Sequence, residues 1–388
     1  MRIAHVCPRY FPALGGAEEV IKNYAERLAA RGHQVSVYCS DLAEYEHLFN
    51  EKVTAPREET LNGVRVVRSW AVPFKFFHSY PLYPSLLWNL ARSGAEVVHL
   101  HGTRYFASDA GALVARTLSK PWVFNPYAGQ FLTSKAGRLH QKLVGWLPFK
   151  AEAVINISQY EKELVESKGV HPKRWEHLPV GVDPQPFDEV SGNVYENYGI
   201  ERQPIVLSLG RLVPHKGLDT LLKAAPLVLQ EVPETKFFIA GRDYGIRSQL
   251  EKLVEKLNLT ESVIFAGSLS EEEKSSAFRN ATVFCLPSRS EAFGIVLIEA
   301  MAGRLPAVAS DWMAMPEIVE NGKTGFLFPL DDFTVLADRL TQLIKDDPLR
   351  RRMGEAGRVK VETVYSWPRV LDKLEGLYLS LTDFESRV

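Results

Sequence analysis

Apolar residues along this chain alternate between short unbroken runs and longer stretches with helical spacing. Arg2–Cys7 reads as a buried strand, and Ala17–Arg31 carries Val20, Ile21, Tyr24 and Leu28 on one helical face. Gln34–Cys39 returns to strand after Gly32. A strand–helix–strand unit of this kind predicts a parallel pair with a right-handed crossover. Further strands are predicted at Val64–Arg68, Glu96–Leu100, Trp122–Asn125 and Val154–Ser158, with a helix over 159–168; Trp175–Pro179 leads into the next segment. Residues 70–90, rich in aromatics and proline (Trp70, Phe74, Phe76, Phe77, Tyr80, Tyr83, Trp88), predict an irregular loop leading into a helix. A second series follows, with strands at Pro204–Leu209, Lys236–Ala240, Val263–Ala266, Val283–Leu286, Pro306–Ala309 and Gly325–Phe328. Helical spacing separates them at Asp219–Gln230, Ser248–Leu257, Glu271–Asn280 and from Ile295 to a stop at Gly303. It resumes at 333–345, 348–363 and 367–381. Val180-Gly-Val-Asp183, then Pro184, Pro186 and an irregular polar patch, mark the boundary between the two series. The pattern predicts an α/β chain of two Rossmann-like, doubly wound domains, 1–182 and 183–365, with residues 366–388 as a terminal helix. A length of 388 residues also favours two cores over one.

Composition, 46% hydrophobic and 24% charged, is that of a globular protein. No apolar run is long enough to span a membrane, and the N-terminus reads as a strand start and not a signal peptide. Cys7, Cys39 and Cys285 each lie in or beside an apolar strand, which suggests buried thiols in a reducing, cytoplasmic setting. The cysteines show no metal-ligand spacing. Net charge is −1, yet residues 1–180 carry +6 and the remainder −7, so the first half is suited to an anionic partner. Between Asp109 and Glu152 there is no acid, while Arg116, Lys120, Lys135, Arg138, Lys142 and Lys150 lie in that window. Over 134–150 the bases interleave with Leu139, Leu143, Trp146, Leu147 and Phe149. This fits either a basic amphipathic helix on an anionic membrane surface or a core helix with a solvated basic face.

Candidate chemistry gathers where strands run into glycine-rich turns, since open α/β sheets bind ligands beyond the carboxyl ends of their strands. Gly15-Gly16 follows the first strand and His101 ends another. The glycines could simply shape a turn, and a lone histidine is usually structural. In the second half, Arg211 and Lys216 share one loop after a strand. An arginine fork and a lysine point charge suit a diphosphate, against the plainer reading of two surface bases. The stretch 284–303 leads from a strand through Pro287–Ser290 and Glu291 to Phe293, Gly294 and Ile295 at a helix mouth, with Glu299 inside that helix. Helix N-termini present free N–H groups and the positive end of the dipole to an anion. The two glutamates could be a glycosidase pair. They fit better as acceptors for sugar and ribose hydroxyls, with a purely structural Glu299 as the remaining alternative.

Taken together these motifs resemble the retaining glycosyltransferases of GT-B architecture in glycosyltransferase family 4. The resemblance covers nearly the whole chain. It rests on Gly-Gly-Ala-Glu at 15–18, Val-Val-His-Leu-His-Gly at 97–102, Pro-Val-Gly-Val-Asp at 179–183 and Gly-Arg-Leu-x-x-x-Lys-Gly at 210–217. The most specific mark is Pro-Ser-Arg-Ser-Glu-Ala-Phe-Gly-x4-Glu-Ala at 287–300. The resemblance implies two Rossmann-like domains facing a central cleft, with the acceptor on the first and the donor on the second, and the terminal helix at 366–388 packing back on the first domain. It implies that Arg211 and Lys216 bind the donor diphosphate and that Glu291 holds sugar hydroxyls. Backbone N–H groups of Phe293, Gly294 and Ile295 would contact sugar and phosphate, and Glu299 would take the ribose. Gly241 and Leu269 would belong to the donor site, with 265–269 near the base. Gly16 would let the first domain approach the diphosphate, and His101 would line the reactive face of the sugar. The implied reaction moves a hexose from a UDP- or GDP-sugar to an acceptor hydroxyl with retention. It needs no metal or other cofactor, and the leaving phosphate serves as base. The acceptor would be a lipid-linked glycan, a cell-envelope glycan or a small molecule. Peripheral contact with the inner membrane face is a further expectation, and nucleic acid is not a partner. A sugar-nucleotide epimerase, a phosphorylase and a non-catalytic sugar-nucleotide scaffold are the alternatives. The chain departs from the family at Met313-Ala314-Met315, where a Gly-Gly pair is usual, and at Ala302-Gly303, where Cys-Gly is usual.

Overall fold

The computed structural model describes residues 1–13, 15–43, 52–72, 80–128 and 144–385, the last three by backbone alone. The chain divides into two compact units, residues 1–180 together with 368–388, and residues 181–367.

The first unit is built on an eight-stranded sheet. Its strands are β1 (Arg2–Val6), β2 (Gln34–Ser40), β3 (Glu58–Leu61), β4 (Val64–Ser69), β5 (Val97–His101), β6 (Trp122–Asn125), β7 (Ala153–Asn156) and β8 (Trp175–His177). They lie in the order β3-β4-β2-β1-β5-β6-β7-β8. All neighbours are parallel except β3 and β4. Among the central strands, β1 is buried beyond its first residue and β5 at all five, because helices cover both faces of a parallel sheet. The helix Gly16–Ala30 supplies Val20, Ile21, Tyr24, Ala25 and Leu28 to one face. The chain winds outward from β1 through β2 and β4, then crosses back to pair β5 against the other side of β1. The order therefore reverses between β1 and β5.

The antiparallel β3–β4 hairpin is absent from the strands predicted above. Its turn is Asn62-Gly63, with φ of 48° and 82°, the two-residue turn that Asn-Gly favours because both residues tolerate positive φ. The basic segment also differs from a single amphipathic helix. Its described part, 144–150, is a turn followed by a short 3-10 helix at Pro148–Lys150, where Pro148 lacks the N–H that a continuing α-helix would use. Lys135, Arg138, Leu139, Lys142 and Leu143 lie outside the described residues, as do Phe74, Phe76 and Phe77.

The terminal helix Trp367–Glu385 packs on the first unit from Pro368 onward. Arg31 pairs with Asp372 and Glu375 at 2.8 Å each, and His33 Nε2 meets Glu375 at 2.7 Å. Tyr378 is buried against His99.

The second unit holds six parallel strands: β9 (Ile205–Leu209), β10 (Lys236–Ala240), β11 (Val263–Gly267), β12 (Val283–Leu286), β13 (Ala307–Ser310) and β14 (Gly325–Phe328). Their order is β11-β10-β9-β12-β13-β14, so the winding reverses between β9 and β12. Val206, Phe237, Val283 and Val308 from the sheet pack with Leu221, Val228, Leu336 and Leu340 from the helices Leu218–Glu231 and Phe333–Lys345. The helix Glu271–Asn280 starts at a capping box formed by Ser270 and Glu273. Gly303 ends the helix Ile295–Ala302 in a way the sequence reading did not foresee. Its φ is −76°, so no left-handed cap forms there. A side chain would stand 3.2 Å from Phe278 Cβ, and glycine serves close packing at this point. The helix Asp347–Lys360 runs on into one π-helical turn, Val361–Tyr365.

Candidate functional site

In the second unit the reversal between β9 and β12 places two loops side by side at the carboxyl ends of adjacent strands, the position where such sheets bind ligands. The loop after β9 carries Arg211 and Lys216, and the loop after β12 carries Glu291, Phe293 and Gly294. Their approach is close enough to require glycine. Gly217 has φ 66°, and a Cβ there would lie 1.9 Å from the Pro287 carbonyl oxygen. The fold thus brings together two residues that lie 75 apart in sequence. The Lys216 ammonium donates to Glu291 Oε1 in a close ion pair, with each side chain 15% exposed. Ser288, fully buried, lies 3.5 Å from the same carboxylate oxygen. One lysine donor is thereby spent on Glu291, and the ammonium keeps two more for a ligand.

Arg211 is exposed, with its guanidinium carbon 5.5 Å from the centre of the Tyr244 ring. It makes no ion pair among the described residues. Gly241, at the end of β10, has φ 144°, and a Cβ there would meet the Gly210 carbonyl oxygen at 1.9 Å, so glycine lets β10 abut the start of the Arg211 loop. Gly294 takes φ 99° as the N-cap of the helix Ile295–Ala302. That helix has no side-chain cap and no acid in its first turn, which leaves its N-terminal dipole uncompensated by the protein. Glu299, inside the helix, meets Lys274 at 3.0 Å. Lys274 also reaches Glu271 at 2.7 Å. Burial works against the Lys274 charge, but these carboxylates hold its pKa above the ordinary lysine value. Lys274 had no motif to mark it in the sequence, since its role appears only when the helix Glu271–Asn280 packs beside Ile295–Ala302. Leu269 is half-buried in the turn just before the capping Ser270.

The remaining predicted residues lie in the first unit, at its own reversal between β1 and β5. Gly16 is exposed and opens the helix after β1. His101 closes β5 and is fully buried in the first unit. It belongs to a cluster that sequence spacing could not show. His101 Nε2 is 2.9 Å from His5 Nδ1, and His101 Nδ1 is 3.3 Å from the Tyr127 hydroxyl. His99 is held by Asn125 Oδ1 and the Tyr378 hydroxyl at 2.6 Å each. The amide oxygen can only accept, so His99 Nε2 carries the proton and Nδ1 accepts from Tyr378. Burial pushes all three histidines down, His99 to about 3 and the other two well below the ordinary value, so the cluster is neutral near pH 7. Donor atoms of the three rings lie within 4.8 Å of one another. Both His99 nitrogens are already committed, however, and the cluster works as a hydrogen-bonded stack.

Comparison with known proteins identifies the family and the fold. Residues 195–360 match the family model described as glycosyl transferases group 1, and residues 14–186 match that of glycosyltransferase family 4. The chain is 30% identical over 412 aligned positions to a phosphatidyl-myo-inositol mannosyltransferase of Mycobacterium leprae, covering 100% of this chain and 99% of that one. It is 29% identical to a GDP-mannose-dependent alpha-(1-6)-phosphatidylinositol monomannoside mannosyltransferase of Mycolicibacterium smegmatis, over 89% of this chain and 90% of that one. Sucrose-phosphate synthase from Thermosynechococcus elongatus shares the fold, with a TM-score of 0.80 at 23% identity over 98% of both chains. This chain, with two Rossmann-like units and full-length similarity to named mannosyltransferases, belongs to glycosyltransferase family 4 and is a transferase that uses a nucleotide-sugar donor.

Proposed function

We propose that the chain moves a mannosyl residue from GDP-mannose to a hydroxyl of a lipid-anchored acceptor, with retention at the anomeric carbon. The observation that carries this reading is the juxtaposition at the β9–β12 reversal of Arg211, the Lys216–Glu291 pair and the uncapped helix mouth at Gly294. Arg211 and Lys216 take the diphosphate and neutralise the charge that builds on it as the sugar–phosphate bond breaks. The N–H groups of Phe293, Gly294 and Ile295 add partial positive charge on the same side. Glu291, oriented by Lys216, accepts hydrogen bonds from sugar hydroxyls. Glu299, oriented by Lys274, accepts those of the ribose. The bond from the anomeric carbon to the acceptor oxygen forms on the face the diphosphate leaves, and the acceptor proton passes to a phosphate oxygen. Two side-chain cations and a helix dipole supply the positive charge in this scheme, so no metal takes part.

The choice of GDP-mannose and of a lipid-anchored acceptor rests on the relatives whose names carry those substrates. The excess of base over acid in residues 1–180 favours an anionic acceptor or an anionic membrane surface on the first unit. No helix among the described residues is long and apolar enough to cross a membrane, so contact of this kind would be peripheral. Incubation with GDP-mannose or UDP-glucose and phosphatidylinositol vesicles tests the reading. It predicts release of GDP only when acceptor is present, with a product in the anomeric configuration of the donor. GDP release that ignores acceptor, an inverted product, or transfer from UDP-glucose alone would overturn it.

A further inference from the structure

We propose that Arg289 is a positioning residue for donor binding, a strut that sets the distance between the loop bearing Lys216 and the loop bearing Glu291. This rests on the donor-site reading above. The two loops meet at the Gly217–Pro287 contact, and the Lys216–Glu291 pair that joins them is the same pair a donor must engage. Something other than that pair has to hold the loops at a fixed spacing when a diphosphate competes for Lys216. Arg289 sits on the β12 loop, two residues before Glu291, and every interaction it makes in the structure reaches out of that loop.

Its backbone N–H donates to the His215 carbonyl at 2.7 Å, next to Lys216. Its Nη1 donates to the Pro214 carbonyl at 3.1 Å and meets Asp219 Oδ1 at 2.8 Å. Its Nη2 reaches Asp219 Oδ2 at 2.9 Å, Thr220 Oγ1 at 3.2 Å and Asp331 Oδ1 at 2.7 Å, while Nε donates to Asp331 Oδ1 at 2.8 Å. Thr220 Oγ1 also donates to Asp331 Oδ1 at 2.9 Å. One guanidinium therefore spans the β9 loop, the first turn of the helix Leu218–Glu231 and the loop after β14. A planar fork with five fixed donors can do this, and an ammonium cannot.

A second observation points the same way. Asp331 holds its backbone at φ 62°, in the left-handed region that aspartate and asparagine enter more readily than other side chains. Its carboxylate accepts from Arg289 and Thr220 at once, and this turn presents the aspartate that anchors the far end of the strut. Arg289 touches neither Lys216 nor Glu291 by side chain. Its effect on the donor passes through their spacing.

The test is a donor titration with GDP on the full chain in four forms: wild type, Arg289→Met, Lys216→Ala and the double variant. Arg289→Met is expected to weaken GDP binding about tenfold, and in a separate transfer assay to leave the acceptor KM unchanged. In the Lys216→Ala background, Arg289→Met should cost less than about twofold, because the residue through which it acts is gone. Equal losses in both backgrounds, or no loss from Arg289→Met in a folded variant, would overturn the proposal. Should Arg289→Met not fold, Asp331→Asn replaces it in the same cycle, with the same two outcomes read the same way. If Lys216→Ala itself leaves GDP binding intact, the donor-site reading fails, an outcome distinct from failure of the strut alone.

Discussion

At the scale of single residues, the glycines of the second unit separate local conformation from close approach. Gly217 and Gly245 both have positive φ, 66° and 92°, but only Gly217 has a neighbour where a side chain would go, the Pro287 carbonyl oxygen at 1.9 Å. Gly245→Ala should cost about 1–2 kcal/mol, the price of a left-handed backbone. Gly217→Ala must also push the two ligand-bearing loops apart, and should both destabilise more and weaken donor binding. Denaturant midpoints and GDP titrations of the two variants check this, and equal effects would count against the close approach. The sequence placed Gly217 in a motif but could not show which atom it meets. For the same reason Arg211, Lys216, Glu291 and Glu299 were legible as chemistry, while Lys274 and Arg289 were not. Their partners lie on other elements, 25 residues away for Glu299 and 70 for Asp219.

Among elements, the terminal helix and the central strands of the first unit meet at the histidine cluster. The helix contributes Tyr378, whose hydroxyl is the donor to His99 Nδ1. Tyr378→Phe leaves that nitrogen unsatisfied in a buried site and should cost about 1–3 kcal/mol, whereas Leu379→Ala, at a position 44% exposed, should cost little. Thermal melts of the two variants check the difference. The cluster also predicts acid sensitivity. His5, His99 and His101 are buried neutral, with folded pKa values below the unfolded value, so the unfolded chain binds more protons once pH falls below about 6.5. Stability is fully present above that pH and is lost as pH drops toward 3, the value for His99. The slope is up to about 1.4 kcal/mol per pH unit for each histidine. Melts from pH 7.5 to 5 should show a falling midpoint, and His99→Gln should flatten the fall. Most elements were legible because unbroken apolar runs mark buried parallel strands, and β10, β12, β14 and the helix Glu271–Asn280 match their predicted ends. The hairpin strand β3 was missed because Glu58-Glu-Thr-Leu61 on the sheet edge has no apolar run, although Asn62-Gly63 announced the turn.

For the whole molecule, charge divides with the architecture. Residues 1–180 are basic and the rest acidic, while Arg211 and Lys216, the residues proposed to bind the donor, stand in the acidic half. If the first unit works at an anionic surface, the chain should co-sediment with vesicles containing anionic phospholipid and not with neutral ones. Binding should weaken as salt shortens the Debye length below about 8 Å. Equal sedimentation with both vesicle types would contradict that role. Two doubly wound units were legible from the recurrence of strand–helix alternation on either side of residue 183. The terminal helix, which the resemblance places back on the first domain, is held on the first unit by Arg31, His33 and His99 as partners for Glu375 and Tyr378.

The account turns on a donor site at the β9–β12 reversal, and calorimetric titration of GDP into wild type, Lys216→Ala and Glu299→Ala tests it most directly. The account predicts a single site in the wild type and at least about tenfold weaker binding in each variant, with loss of one charged hydrogen bond per variant. Undiminished GDP binding by either variant would contradict it.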